Sequence, residues 1–304
     1  MANARTPEID KLYDEVLSYR RTTDFKELLE FVAKFRHVAP YNAMLIHIQK
    51  PGSSYVASAA DWYSRFERTV KAGARPLLIL RPFGPVAFVF EYNDTEGKPL
   101  PDDLVRPFKT NSPVSEAQLN RLIKGACYDG IDVVQQEYGT SRAGQIEYSP
   151  HPSTIRLQYK EKLYSLQSNY SIVLNRNLSV PEQFTTMLHE LGHFYCGHLN
   201  YGNMKWLPSR PGLETSVVEF EAETACWLVC QRLGIESASA GYLHGYLEDN
   251  EFIPEVSVDS ILRSAGMIET ILQGAIKPRK DLILKEAAEN TQQTLFDTAD
   301  GKQN

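Results

Sequence analysis

No run of about 18 apolar residues occurs anywhere in this chain, so a membrane-spanning helix is not expected. The opening stretch MANARTPEIDKLYDE lacks the apolar core of a secretory signal, and a cytoplasmic protein with no membrane partner is expected. Cysteine is scarce. Cys127, Cys196, Cys226 and Cys230 form no CxxC pair, which argues against a disulfide framework and for reduced thiols. There is no internal repeat. Nor does one charge dominate: the net charge is −6, divided as +3 over residues 1–93 and −9 over the remainder. The small basic excess at the front suits an anionic partner for that portion and not for the rest. What is present is ordinary globular material, 42% hydrophobic and 23% charged, in a 304-residue length that suits one large domain or two of average size.

Hydrophobic periodicity organises the chain. TPEIDKLYDEVLSYRR and TDFKELLEFVAKFRH carry apolar residues at helical spacing, the second with Thr23 or Asp24 as a cap. YNAMLIHIQ reads as a short buried helix, and AADWYSRFERTVKAG as a helix running to Gly73. PLLILRPF and PVAFVFEY, either side of a single glycine, read as a β-hairpin. The stretch NDTEGKPLPDDLVRPFKTNSPVS is rich in Pro, Asp and Gly and reads as a linker. Beyond it a helix over SEAQLNRLIKGACYDG precedes short strands at IDVVQQEY, GQIEYS, STIRLQY and YSIVLN. Helices then follow over Pro181 to Cys196, Glu214 to Leu233, Ala238 to Glu248 and Val258 to Ile276. A small sheet packed on helices is an α+β pattern. The polar tail ENTQQTLFDTADGKQN lacks apolar anchors and is expected to be disordered.

Chemistry concentrates in LSVPEQFTTMLHELGHFYCGH. Ser179 with Glu182 makes a capping box, Pro181 suits the first turn, and Gly197 suits the stop. At about 100° per residue, His189 and His193 lie about 40° apart on one face with Glu190 beside them. Phe184, Met187, Leu188, Leu191, Phe194 and Tyr195 occupy the far side. Two imidazoles one turn apart suit zinc, whose catalytic sites take three protein ligands and keep one position open. Glu190 then stands where a general base belongs, close to the water but not on the metal.

A third donor is required. In ETSVVEFEAETACWLVCQRLGI, Glu219 and Glu223 share a face, whereas Glu221 points elsewhere. The economical assignment makes Glu219 the metal ligand and Glu223 an acceptor that orients one imidazole through its other N–H. Glu223 as the ligand is an alternative. His198 is another, but a continuous helix would put it opposite the metal, and it would serve only if Gly197 turned the chain back. Otherwise it reads as a structural histidine.

The stretch YSIVLNRNLSVPEQFTTMLHELGHFYCGH, followed by the ExEAE helix, resembles the ImmA/IrrE family of zinc metallopeptidases. That resemblance implies His189 and His193 as zinc ligands, Glu219 as the acidic third ligand with Glu223 beside it, and Glu190 as the catalytic glutamate. It also implies that the strand IVLN forms the edge over the cleft. VASAADWYSRFERTVKAGARPLLILRPF, FVFEYNDTEGKPLP and GYLHGYLEDN resemble ArdC-type antirestriction proteins, which implies single-stranded DNA as a partner of the first domain. Arg65, Arg68, Lys71, Arg75 and Arg81, with Tyr55, Trp62, Tyr63 and Phe66, supply the cations and aromatic faces such binding needs. QQTLF in the tail resembles a sliding-clamp peptide, with Gln292, Leu295 and Phe296 as its anchors. Tyr242, His244 and Tyr246 are candidate oxyanion donors.

The expected architecture is α+β, with an N-terminal helical domain bearing a β-hairpin over residues 1–93 and a linker over 94–112. A zincin-like metallopeptidase domain, a small sheet packed on helices, follows over 113–280, and then a tail over 281–304. The expected function is an HExxH zinc metallo-endopeptidase, with Mn2+ or Co2+ as other metals, that acts on protein or peptide in antirestriction or in regulation of mobile-element and defence functions. The alternatives are a non-proteolytic DNA-binding antirestriction protein with a structural metal, and a protease of a single repressor or defence protein.

Overall fold

The computed structural model describes residues 21–81, 86–100, 114–137, 143–199, 204–235 and 250–284, together with Leu243, Tyr246 and Leu247. Tyr242, His244, the first expected helix and the clamp-like residues Gln292, Leu295 and Phe296 lie outside the described residues.

In chain order the first elements are α1 (Thr22–Lys34), α2 (Pro40–Gln49), β1 (Val56–Ala57) and α3 (Ala59–Phe66). Then come β2 (Arg68–Val70), β3 (Leu77–Ile79), β4 (Ala87–Glu91) and β5 (Thr95–Gly97). β3 and β4 form the expected hairpin, and β1 adds to the other side of β4. α3 is shorter than its periodicity suggests. Ser58 caps it, and Glu67, in the left-handed region at φ 52°, ends it. The next three residues leave the helix to pair with β5 as strand β2.

The second half opens with α4 (Glu116–Tyr128), held by a Ser115–Gln118 capping box, and continues into β6 (Ile131–Gln136). GQIEYS and STIRLQY prove to be one strand, β7 (Gly144–Tyr159), with an irregularity between Tyr148 and Ser153. β8 (Lys162–Asn175) returns antiparallel to β7 and lies parallel to β6, in the order β6-β8-β7. IVLN therefore sits in the central strand of this sheet, and β7, not β8, is the edge that meets the histidine helix. This corrects the placement implied by the family resemblance. The reason is that the hairpin between β7 and β8 inserts GQIEYS outside IVLN.

Helices α5 (Val180–Tyr195), α6 (Thr215–Leu233) and α7 (Val258–Leu272) complete the described α-helices, with short 3-10 turns at Tyr92–Asp94 and Lys280–Leu282. α5 packs between the sheet and α6, and α7 packs on both helices and on α4. α6 also meets α1, so it is enclosed and buries residues around most of its circumference, among them Phe220, Glu221, Thr224 and Leu228. One apolar core runs from Phe25 in α1 through α5 and α6 to Leu272 in α7. A separate small cluster of Tyr55, Trp62 and Leu100 lies within residues 55–100. Arg232 ties α1 to this core: its guanidinium pairs with Glu269 and donates to the carbonyls of Val32, Phe35 and Val38 at 2.8, 3.0 and 2.8 Å. Those carbonyls lie in the last turn of α1 or just beyond it, where helical partners run out and the Phe35 N–H reaches Val32 at only 3.2 Å.

Candidate metal centre

The histidine helix starts as its sequence dictates. Glu182 accepts from the Ser179 N–H and hydroxyl at 2.8 and 2.6 Å, and Pro181 occupies the first turn. Its end matters more for the site. The Gly197 N–H reaches the Phe194 carbonyl and the His198 N–H reaches the His193 carbonyl, a Schellman closure that uses the positive φ of Gly197 (81°). A Cβ at Gly197 would lie 2.2 Å from the Pro208 carbonyl oxygen, so the chain can turn and pack there only with glycine.

α5 crosses α6 closely at Gly192, where a Cβ would come within 3.0 Å of the Ala222 carbonyl oxygen. That approach brings the histidines against the acidic face of α6. His189 Nε2 and His193 Nε2 are 3.0 Å apart. Glu219 lies 3.5 Å from His189 Nε2 and 3.6 Å from His193 Nε2. One donor atom from each of the three residues falls within 4.8 Å of the others. Donors held about 2.0–2.2 Å from a tetrahedral ion stand about 3.3 Å from one another, so two imidazoles and one carboxylate at these separations fit a single divalent cation. The Glu219 side chain is 43% exposed against 20% and 13% for the histidines, so the cluster opens toward solvent on the Glu219 side.

The electrostatics agree with this arrangement. Burial opposes charge on His189, but hydrogen bonds to Glu219 and Glu223 outweigh it and push its pKa well up. Burial and the charge on His189 hold His193 down. The pair therefore favours a single positive charge, on His189, which a divalent cation would displace. Glu223 approaches His189 Nδ1 at 3.4 Å, on the ring's other side from Glu219. Glu190 is buried beside the donors but is not one of them. Its carboxylate accepts from the Ile146 N–H of β7 at 2.9 Å, and burial raises its pKa above the ordinary carboxylate value despite the charge on His189. A raised pKa suits a carboxylate that must take and return a proton near neutrality.

His198 is not the third donor. The Gly197 turn does bring it back, but its Nδ1 faces His193 Nδ1 at 3.0 Å, and its Nε2 lies 2.9 Å from Glu221. Glu221 is fully buried and also accepts from both Arg210 nitrogens and from the Ser257 N–H at 2.7 Å. Cys196, His198 and Glu221 come close enough to suggest a second ion. The Arg210 guanidinium occupies both oxygens of Glu221, and burial pushes the Cys196 thiol far up, so that set is unsuited to a cation. Sequence reasoning missed Glu221 and Arg210. An acid two residues from a metal-facing one, on a helix with apolar residues all round, was the available signal.

Other expected residues sit elsewhere. The Tyr246 ring packs edge-on against Phe220, which in turn meets Phe25 of α1, so Tyr246 belongs to the core contact between α1 and α6. Trp62 is fully buried and its indole N–H donates to the Phe90 carbonyl at 2.8 Å. Arg68 is also buried, with its guanidinium against the Tyr92 ring and hydrogen-bonded to Thr95. Neither presents a face to a nucleic acid, because each fills the small cluster or the β2–β5 pairing. Tyr63, Arg65, Lys71, Arg75 and Arg81 are exposed.

No curated protein sequence matches the chain. Among solved structures, the metal-free antirestriction ArdC protein from the R388 plasmid is similar at a TM-score of 0.35 and 15% identity, covering 78% of this chain and 85% of that one. Its Mn(II)-bound form is similar at the same score and identity, over 77% and 82%. Residues 146–224, from the strand that holds Glu190 to the turn of α6 after Glu223, match the family model of the IrrE N-terminal-like domain, Peptidase_M78. The segment carrying the donor cluster is thus similar to the IrrE N-terminal-like domain of the M78 peptidase family.

Proposed function

We propose that this protein is a divalent-metal peptidase, with zinc as the expected ion, His189, His193 and Glu219 as its ligands and Glu190 as general base. The observation that carries the reading is the convergence of those three donors on two crossing helices, with a buried, unliganded carboxylate next to them. When bound, the cation would supply Lewis acidity toward a carbonyl and lower the pKa of water. The chain's own residues do the rest. Glu190 takes a proton from the attacking water and delivers it to the departing amine. Its contact with Ile146 fixes its carboxylate against the sheet edge. Glu223 orients the His189 ring, and the open Glu219 side admits the polypeptide. Antirestriction or control of a defence protein is the proposed setting. Single-stranded DNA is the proposed partner of residues 55–100, through exposed Tyr63, Arg65, Lys71, Arg75 and Arg81.

The test compares wild type with Glu190→Gln. Metal analysis is expected to find equal divalent-ion content. Sequencing of new protein N-termini in cells expressing each form is expected to find cleavage only with wild type, a loss of at least about 100-fold. Equal cleavage by the variant would sink the assignment.

A further inference from the structure

Glu221 is an ionised acceptor in an enclosed position. It takes two N–H donors from Arg210, one from Ser257 and one from His198 Nε2. Burying a carboxylate so completely is tolerable only when both oxygens are satisfied, and here they are. Arg210 already matches its charge, so the imidazole is needed only as a neutral donor. A neutral ring that donates from Nε2 has a lone pair on Nδ1. That lone pair faces His193 Nδ1 at 3.0 Å, which can therefore only be the donor. The other nitrogen of His193, Nε2, is then left with its lone pair directed toward His189 and Glu219.

We propose that Arg210, Glu221 and His198 are positioning residues that lock His193 as its Nδ1–H tautomer, presenting Nε2 to the metal position before any ion arrives. The proposal rests on the metallopeptidase reading for its purpose, but the tautomer is a property of the protein alone. The polarity of the line runs one way. The fixed acceptor is at Glu221, and each ring in turn can donate only toward it. Three backbone features hold the line in place. Gly197 turns His198 back under the helix, the Arg210 N–H donates to the Gly197 carbonyl at 2.9 Å, and the Ser257 N–H at the start of α7 fixes Glu221. His193 is thereby connected through two side chains, His198 and Glu221, to the N-cap of a third helix. His189 has Glu223 at its Nδ1.

The experiment uses the full chain labelled with 15N-histidine and depleted of metal, with the His193 signals identified by their loss in His193→Gln. Long-range 1H–15N spectra are expected to show His193 protonated on Nδ1. In His198→Leu that preference should disappear, and Zn2+ affinity, measured by competition with a chromophoric chelator, should fall about 10- to 100-fold. His198→Gln, whose amide can accept from His193 and donate to Glu221, should recover most of that loss. A merely structural role for His198 would lower thermal stability in both variants without moving the tautomer. An Nε2–H tautomer of His193 in the wild type overturns the proposal, as does wild-type Zn2+ affinity in folded His198→Leu. If His198→Leu does not fold, the wild-type spectrum decides. If wild type takes up no Zn2+ at all, the peptidase reading falls, and the same spectrum still decides the tautomer.

Discussion

Glu219 and Glu223 occupy successive turns of α6 and face the same imidazole from opposite sides, yet their roles differ. Only Glu219 is within reach of both Nε2 atoms. Glu219→Ala should therefore abolish stoichiometric metal, whereas Glu223→Ala should keep it with affinity reduced about 10- to 100-fold. Isothermal titration with Zn2+ separates the two, and equal losses would contradict the division. Glu221 carries a pH signature. Complete burial works against its charge, but the bonds from His198, Arg210 and Ser257 prevail and hold its pKa below the ordinary 4.5. A carboxylate depressed on folding supports stability above its unfolded value and loses that support as pH falls through the folded one. Urea midpoints of the wild type should thus drop as pH falls below about 4.5. Glu221→Gln should start lower by about 3 kcal/mol, because Arg210 is left unpaired, and should show a shallower drop. At this scale His189, Glu190 and His193 were legible because helical spacing alone sets their face. The part played by His198 was not, since it depends on a left-handed turn after the helix has ended. Glu221 was read only as pointing away from the face of Glu219 and Glu223, because a wheel gives direction and not what lies there.

Elements differ in how closely they follow their own periodicity. α5 begins and ends where its caps require, within one residue of the sequence reading. α3 does not, because β2 finds a better partner in β5 than in another helical turn. The Arg68 donors to Thr95 at 2.8 Å reward that departure. The crossing of α5 with α6 is the element-level feature on which the site depends. Alanine at a helical glycine ordinarily gains up to about 1 kcal/mol. At Gly192 its methyl would meet the Ala222 backbone at 3.0–3.1 Å, and overpacking of that kind costs about 1–3 kcal/mol. Gly192→Ala is therefore expected to lower the melting temperature and also Zn2+ affinity, because separating the helices moves Glu219 from the histidines. A higher melting temperature with unchanged affinity would show that the crossing is looser than described. The continuity of β7 was invisible in the sequence because Pro150 and Pro152 between GQIEYS and STIRLQY interrupt the strand pattern, although the pairing to β8 resumes at Ser153.

Across the whole molecule, two kinds of cation divide the work. Arg68 and Arg232 are buried and tie backbone together, while Arg65, Lys71, Arg75 and Arg81 face solvent. Replacing Arg65, Arg75 and Arg81 by Ala should leave the melting curve unchanged. If all three touch phosphates, it should lower the slope of log affinity against log salt for single-stranded DNA by about 2, at roughly 0.7 per contact. An unchanged slope removes these residues from any nucleic-acid surface. Composition could show that residues 1–93 were the more basic. It could not separate buried from exposed arginine, since that depends on which carbonyls the fold leaves without partners. α1 shares one core with α5 and α6 and has its final carbonyls gripped from α6, so the two parts of the polypeptide are packed on each other. Supplied as two fragments broken between residues 100 and 114, they should find each other in the cell and reconstitute zinc uptake, while either fragment alone should precipitate.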